Sequence, residues 1–395
     1  MVAGMADINS LRRRAVLAGI GTTLAGCVDV SDEQSEGTPS SDVEREPLSN
    51  SWPMFARNVE NTGYIPDIDG PYTEISRQWT FKTDSPVIAS PAIANDTLYC
   101  CSTNGYVYAI DPYVGTEIWS FETDGPVTTT PAVVDGRLYV SSGDRHLYAV
   151  DMNEGTEQWR FDAGDRIDSS PTVDGKSVYI GTVGNDILAI NRENGEQQWR
   201  FSTGGSIFAA PAISDGTVYA GSSDRNVYAL DASDGTEQWS FGTRGAVAVS
   251  PAVADRTVYV GSRDTNVYAL NAVTGEERWS FDAADQIQTT PSIAPETLFV
   301  GSSDGFLYAV GRESGGPEGR FRFSTGGPVT AMPVATDTHV FVASTSGVLF
   351  AILPEDGDIV WQFDIESEIH AGPVVSEDWL YFATSDGSVH ALGSD

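Results

Sequence analysis

Few residues in this 395-residue chain have both the type and the spacing to do chemistry. Three residues ahead of each of eight regularly spaced prolines the side chain varies, and four of those positions hold Asp168, Phe208, Gln288 and His370. Arg166 and Glu368 stand two residues ahead of Asp168 and His370. A carboxylate, a carboxamide and an imidazole converging on one space could hold a small polar ligand. The same variation arises from drift at solvated positions, and both readings stand. The adjoining residues stay apolar, as at Ile167, Ile207, Ile287 and Ile369, so alternation sends the variable side chains to the opposite face. The four histidines (His146, His339, His370, His390) lie in different copies of the pattern and make no metal-ligand spacing. No nucleophile elbow, phosphate loop or zinc motif is present, so no catalytic or metal-binding residue is assigned. Cys100 and Cys101 are adjacent and build no disulfide framework. Asp144, Asp224, Asp264, Asp304 and Asp386 recur at turn tips without the spacing of a calcium loop, and read as turn chemistry.

The elements that must position these residues are repeats. Trp79, Trp119, Trp159, Trp199, Trp239 and Trp279 follow one another every 40 residues; Phe321 takes the next place and Trp361 the one after. Eight prolines from Pro91 to Pro373 keep step with them. A period near 40 with several short strands per copy predicts an all-β, eight-bladed β-propeller of four-stranded antiparallel blades. In the fourth copy, Ile207 to Ile213 reads as the inner strand and Asp215-Gly216 as a tight turn. Thr217 to Ser222 and Val227 to Leu230 read as the middle strands, and Thr236 to Phe241 as the outer strand carrying Trp239. Fixed spacing in every copy makes the tryptophans packing anchors rather than ligand stackers. The last copy stops before any Trp strand, while the strand of Trp79 precedes the first inner strand. That N-terminal strand should therefore complete the last blade and leave no open edge.

Composition sets the surroundings. Fifty-six acidic residues against 22 basic ones give a net charge of -34, which repels nucleic-acid phosphates and anionic membrane surfaces. No nucleic-acid partner is expected. Such self-repulsion is screened in molar salt, where the Debye length is only about 3 Å. The acid-rich, lysine-poor make-up resembles that of proteins from salt-loving archaea. Arg12-Arg13-Arg14 precedes a short apolar run, Ala15 to Ala25, too short to span a bilayer. It resembles a twin-arginine signal ending in a lipoprotein box at Cys27, which implies lipidation of Cys27 after export. Residues 1–27 are read as this signal and 28–50 as a disordered Ser- and acid-rich tether. Residues 51–395 are read as the propeller. The expected address is the outer face of the cytoplasmic membrane.

The frame Ala-x-Asp-x-x-x-Gly-x-x-x-Trp, as in Ala229 to Trp239 and Ala149 to Trp159, resembles the tryptophan-docking repeat of pyrroloquinoline-quinone (PQQ)-type propellers. The resemblance covers residues 79–395, and Trp52-Pro53-Met54-Phe55 resembles the lead-in that precedes such repeats. The overall plan is similar to that of the propeller lipoproteins of outer-membrane assembly. That implies a non-catalytic scaffold binding a membrane or extracytoplasmic protein, with no cofactor. The quinoprotein members imply one alternative, a PQQ- and calcium-dependent dehydrogenase of alcohols or sugars; a solute-binding sensor working through the channel is another. Adjacent cysteines beside the quinone occur in alcohol-oxidising members, but Cys100-Cys101 falls at second-strand positions here.

Overall fold

The computed structural model describes residues 51–68, 70, 75–316, 321–376 and 378–394. The signal, Cys27 and the tether lie outside the described residues. Eight sheets form in chain order, each with antiparallel strands stepping outward from the channel. Blade 1 runs from Ala92–Ala94 to Glu117–Glu122, and the chain continues blade by blade. Blade 8 combines Val374–Ser376, Trp379–Ala383 and Ser388–Ser394 with Ile75–Lys82 as its outer strand. Trp79 sits opposite Ala391 and Ile75 opposite Ser394, so the expected clasp is present.

Blade 4 departs from the sequence reading at one place. Its strands are Ala212–Ser214, Thr217–Gly221, Asn226–Asp231 and Glu237–Gly242, so the inner strand begins five residues later than Ile207. Ile207 instead donates its N–H to the Thr182 carbonyl of blade 3, 3.0 Å away, and Pro211 has no N–H to give. The constant apolar series thus links neighbouring blades rather than extending a sheet. Val127, Val247 and Val329 make the same reach to Ser102, Ser222 and Ser302. Their side chains are fully buried, and Ile207 seats so closely on Gly181 that a Cβ there would come within 2.1 Å of it. Asp215 and Gly216 both have positive φ (49° and 74°), the geometry of the expected tight turn.

Six of the repeat tryptophans are seen to dock on the following blade. Trp239 donates its Nε1–H to the Ala272 carbonyl at 3.0 Å, and its ring covers Gly275. Tyr219 donates its hydroxyl to the same carbonyl at 3.1 Å. Trp79, Trp119, Trp159, Trp199 and Trp279 bond carbonyls in the same way, at 2.8 to 3.2 Å. Trp361 packs on Phe341 of its own blade, and Phe321, from the degenerate copy, covers Gly357 of the next.

The lead-in does more than precede the repeats. Trp52 exchanges both backbone hydrogen bonds with Ile93 of blade 1. The carbonyls of Pro53, Val59, Glu60, Thr62 and Gly63 then accept N–H groups from the inner strands of blades 2, 4, 5, 6 and 7. Tyr64–Ile65 finally adds a parallel fifth strand to blade 7. This belt satisfies inner-edge donors that no neighbouring strand reaches.

Candidate functional site

The belt seals one end of the channel and leaves a cavity of about 200 Å³ above it, with Phe55 in its lining. The residue just before each proline forms a lower ring in which five of the eight carry hydroxyls: Ser90, Thr130, Ser170, Ser250 and Thr290. Ser170 and Ser250 accept the Thr130 and Ala210 N–H groups at 3.0 and 2.8 Å, tying adjacent blades. The variable positions form the ring above. Burial alternates there as the sequence implies: Ile207 is buried, Phe208 exposed and Ala209 buried.

The structure brings some of the sequence candidates together and not others. Phe208, Gln288 and His370 line the cavity; Asp168, Arg166 and Glu368 are outside its lining. Asp168 is engaged by Arg166 of its own segment. His370 is held between Thr330 at 3.0 Å and Glu368 at 3.1 Å, and Gln288 donates to Ser303 at 2.8 Å. Blades 4 and 8 are half a ring apart, so Phe208 faces His370 across the channel. The hydroxyl ring was missed in the sequence, although Ser or Thr before proline in five copies was a usable signal. The sealing role of the lead-in carried no periodic signal at all.

The tip acids turn out to staple blades. Asp224 accepts the N–H of Asn226, the hydroxyl of Tyr228 and the N–H of Gly204 in the loop arriving from blade 3. Asp144 and Asp264 repeat the arrangement with Tyr148 and Tyr268. Burial alone would raise the Asp224 carboxyl, but these donors outweigh it and hold it below the usual range. Cys100 and Cys101 are free, buried thiols on alternate faces of their strand. They pack into two different cores, and burial pushes both thiols up.

A bound quinone with calcium would need carboxylate oxygens at the metal and cationic partners for its own carboxylates. The cavity wall presents an imidazole, a carboxamide and hydroxyls, with no carboxylate, Lys or Arg. Among the described residues no three His, Cys, Asp or Glu stand close enough to share a metal ion. At about 200 Å³ the space is also below the range of about 300–1,000 Å³ of sites for drug-sized ligands. The residues present do not fit that group.

Comparison with known proteins agrees with the architecture. The family model described as outer membrane protein assembly factor BamB matches residues 73–167, 146–251, 243–318 and 307–395. No curated protein matches the chain significantly. Among solved structures, BamB from Moraxella catarrhalis is 19% identical with a TM-score of 0.70, covering 81% of this chain and 99% of its own. Quinohemoprotein alcohol dehydrogenase from Comamonas testosteroni is 14% identical with a TM-score of 0.77, over 88% and 81%. The computationally designed Ika8 protein is 15% identical with a TM-score of 0.73, over 80% and 99%. A factor, an enzyme and a designed chain share the fold, so these likenesses establish architecture alone. With the family match running unbroken from residue 73 to residue 395, the chain belongs to the PQQ-type repeat family of outer membrane protein assembly factor BamB.

Proposed function

We propose that this chain is a non-catalytic scaffold, exported and held by a lipid on Cys27 at the outer face of the cytoplasmic membrane. Its rim loops and blade edges would dock a membrane or extracytoplasmic protein. The observation that carries the reading is the family match over the whole repeat region. The uses found for the repeated side chains support it: tryptophans, tyrosines, tip acids and constant apolar residues all serve blade-to-blade docking. The quinoprotein dehydrogenase reading draws on fold likeness, and the cavity does not offer its ligands.

Mild cross-linking of the native protein in its membranes, in molar salt, tests the proposal. A stoichiometric partner is expected, and Cys27→Ala should release the protein from the membrane fraction. Recovery of the propeller alone, or unchanged membrane association in the variant, would overturn the corresponding half.

A further inference from the structure

The cavity contains a feature that docking does not use. Phe208 is 37% exposed, one of only five large hydrophobic side chains so exposed among the described residues, and the only one lining the channel. Leaving a phenyl ring in water forfeits hydrophobic free energy unless something covers it. The wall it faces is polar: His370 and Thr330 hydrogen-bond to each other, and Gln288 comes from the blade before Thr330. Beneath both lies the hydroxyl ring, in which Thr130 and Thr290 are 2% and 4% exposed. Ser170 and Ser250 accept backbone N–H groups there, so each retains its own O–H to donate.

Charge narrows the occupant. The ionisable group in the wall, His370, is met by Glu368 at its Nε2, and Asp168 beside the cavity is met by Arg166. The described residues of the lining include no carboxylate, Lys or Arg to pair with an ion. Hydroxyls, a carboxamide and an imidazole both give and accept hydrogen bonds, and a phenyl face takes C–H groups. We propose that the sealed channel binds one small uncharged polyhydroxylated solute, a cyclic polyol or single sugar ring. The solute lies with its C–H face on Phe208 and its hydroxyls toward Gln288, His370 and the lower ring. The belt of residues 52–65 makes the site blind, so the solute enters and leaves by the opposite end of the channel. The site binds without turnover, independently of the scaffold reading, and would stand if no protein partner were found.

Calorimetric titration of the full chain in molar potassium chloride tests this with myo-inositol, D-glucose and sodium gluconate. Saturable binding of a neutral ring at one per chain is expected, with gluconate weaker by tenfold or more. Phe208→Ala should weaken the neutral ligand at least tenfold. Thr290→Val, nearly the same size, should weaken it several-fold with an unchanged melting temperature. Heats that stay linear with both neutral probes, binding untouched by both variants, or gluconate binding as tightly as glucose would each overturn the proposal.

Discussion

Replacing both donors to one carbonyl should cost more than the two replacements made singly. The Ala272 carbonyl of blade 5 accepts from Trp239 Nε1 at 3.0 Å and from the Tyr219 hydroxyl at 3.1 Å, both across the boundary with blade 4. Trp239→Phe removes one hydrogen bond and leaves the other in place. The carbonyl stays satisfied, so the hydrogen-bond part of the loss is about 1 kcal/mol. Tyr219→Phe costs about the same for the same reason. Together they strand a buried carbonyl, which carries a desolvation penalty of about 1–3 kcal/mol. The double variant should therefore be less stable than the sum of the singles by about 1 kcal/mol or more. Loss of indole packing appears equally in the single and the double variant, so it cancels from the cycle. Blade 6 is a natural instance, with Phe299 and Phe321 standing in the two places together. Urea unfolding of the four proteins in molar salt gives the cycle, provided the m-values agree. Additivity within about 0.3–0.5 kcal/mol would refute shared donation to Ala272.

Three further outcomes follow from the geometry. Tyr381, the blade 8 counterpart of Tyr219, has a buried hydroxyl with no partner among the described residues, so Tyr381→Phe should leave stability unchanged or raise the melting temperature. Gly275 has φ +72° and a Cβ there would lie 2.7 Å from the Trp239 ring, so Gly275→Ala should lower stability by several kcal/mol in urea titration. His390 is buried in the clasp blade, and burial, with Arg77 and Lys82 nearby and despite Asp386, lowers its pKa from 6.5 to about 4. The folded state then resists a proton that the unfolded chain accepts. Its stability contribution is complete above pH 6.5 and falls by about 3 kcal/mol as pH drops to about 4. His390→Gln should flatten that slope in melts taken between pH 7 and pH 4.

The architecture was legible because the packing demand recurs in each copy. Trp239 and its counterparts must each reach the same turn in the next blade, and a demand repeated every 40 residues writes itself as a period. The clasp followed from counting, since Trp79 had no blade ahead of it to complete. Strand bounds were harder. Ile207 looks like a strand residue, yet its N–H serves blade 3, and nothing in its own side chain says which neighbour will claim it. The candidate site was half legible. Phe208, Gln288 and His370 do converge, but Asp168 is claimed by Arg166 two residues away, a local pairing the repeat alignment does not reveal. The belt was least legible of all. Its contacts are made by backbone carbonyls, as at Val59 and Glu60, and carbonyls are the same whatever the residue.

The clasp also sets a timetable for biosynthesis. Thr80 and His390 meet in blade 8, yet 310 residues separate them along the chain. At about 5–20 residues per second, the strand of Trp79 waits roughly 15–60 s on the ribosome before its partner is made. Throughout that interval one long edge, Ile75–Lys82, is synthesised but cannot pair where it belongs. Its sequence, Ile-Ser-Arg-Gln-Trp-Thr-Phe-Lys, carries Arg77 and Lys82, two of the chain's 22 basic residues. Charges of that kind discourage a naked strand from recruiting a stranger before the rest of the protein arrives.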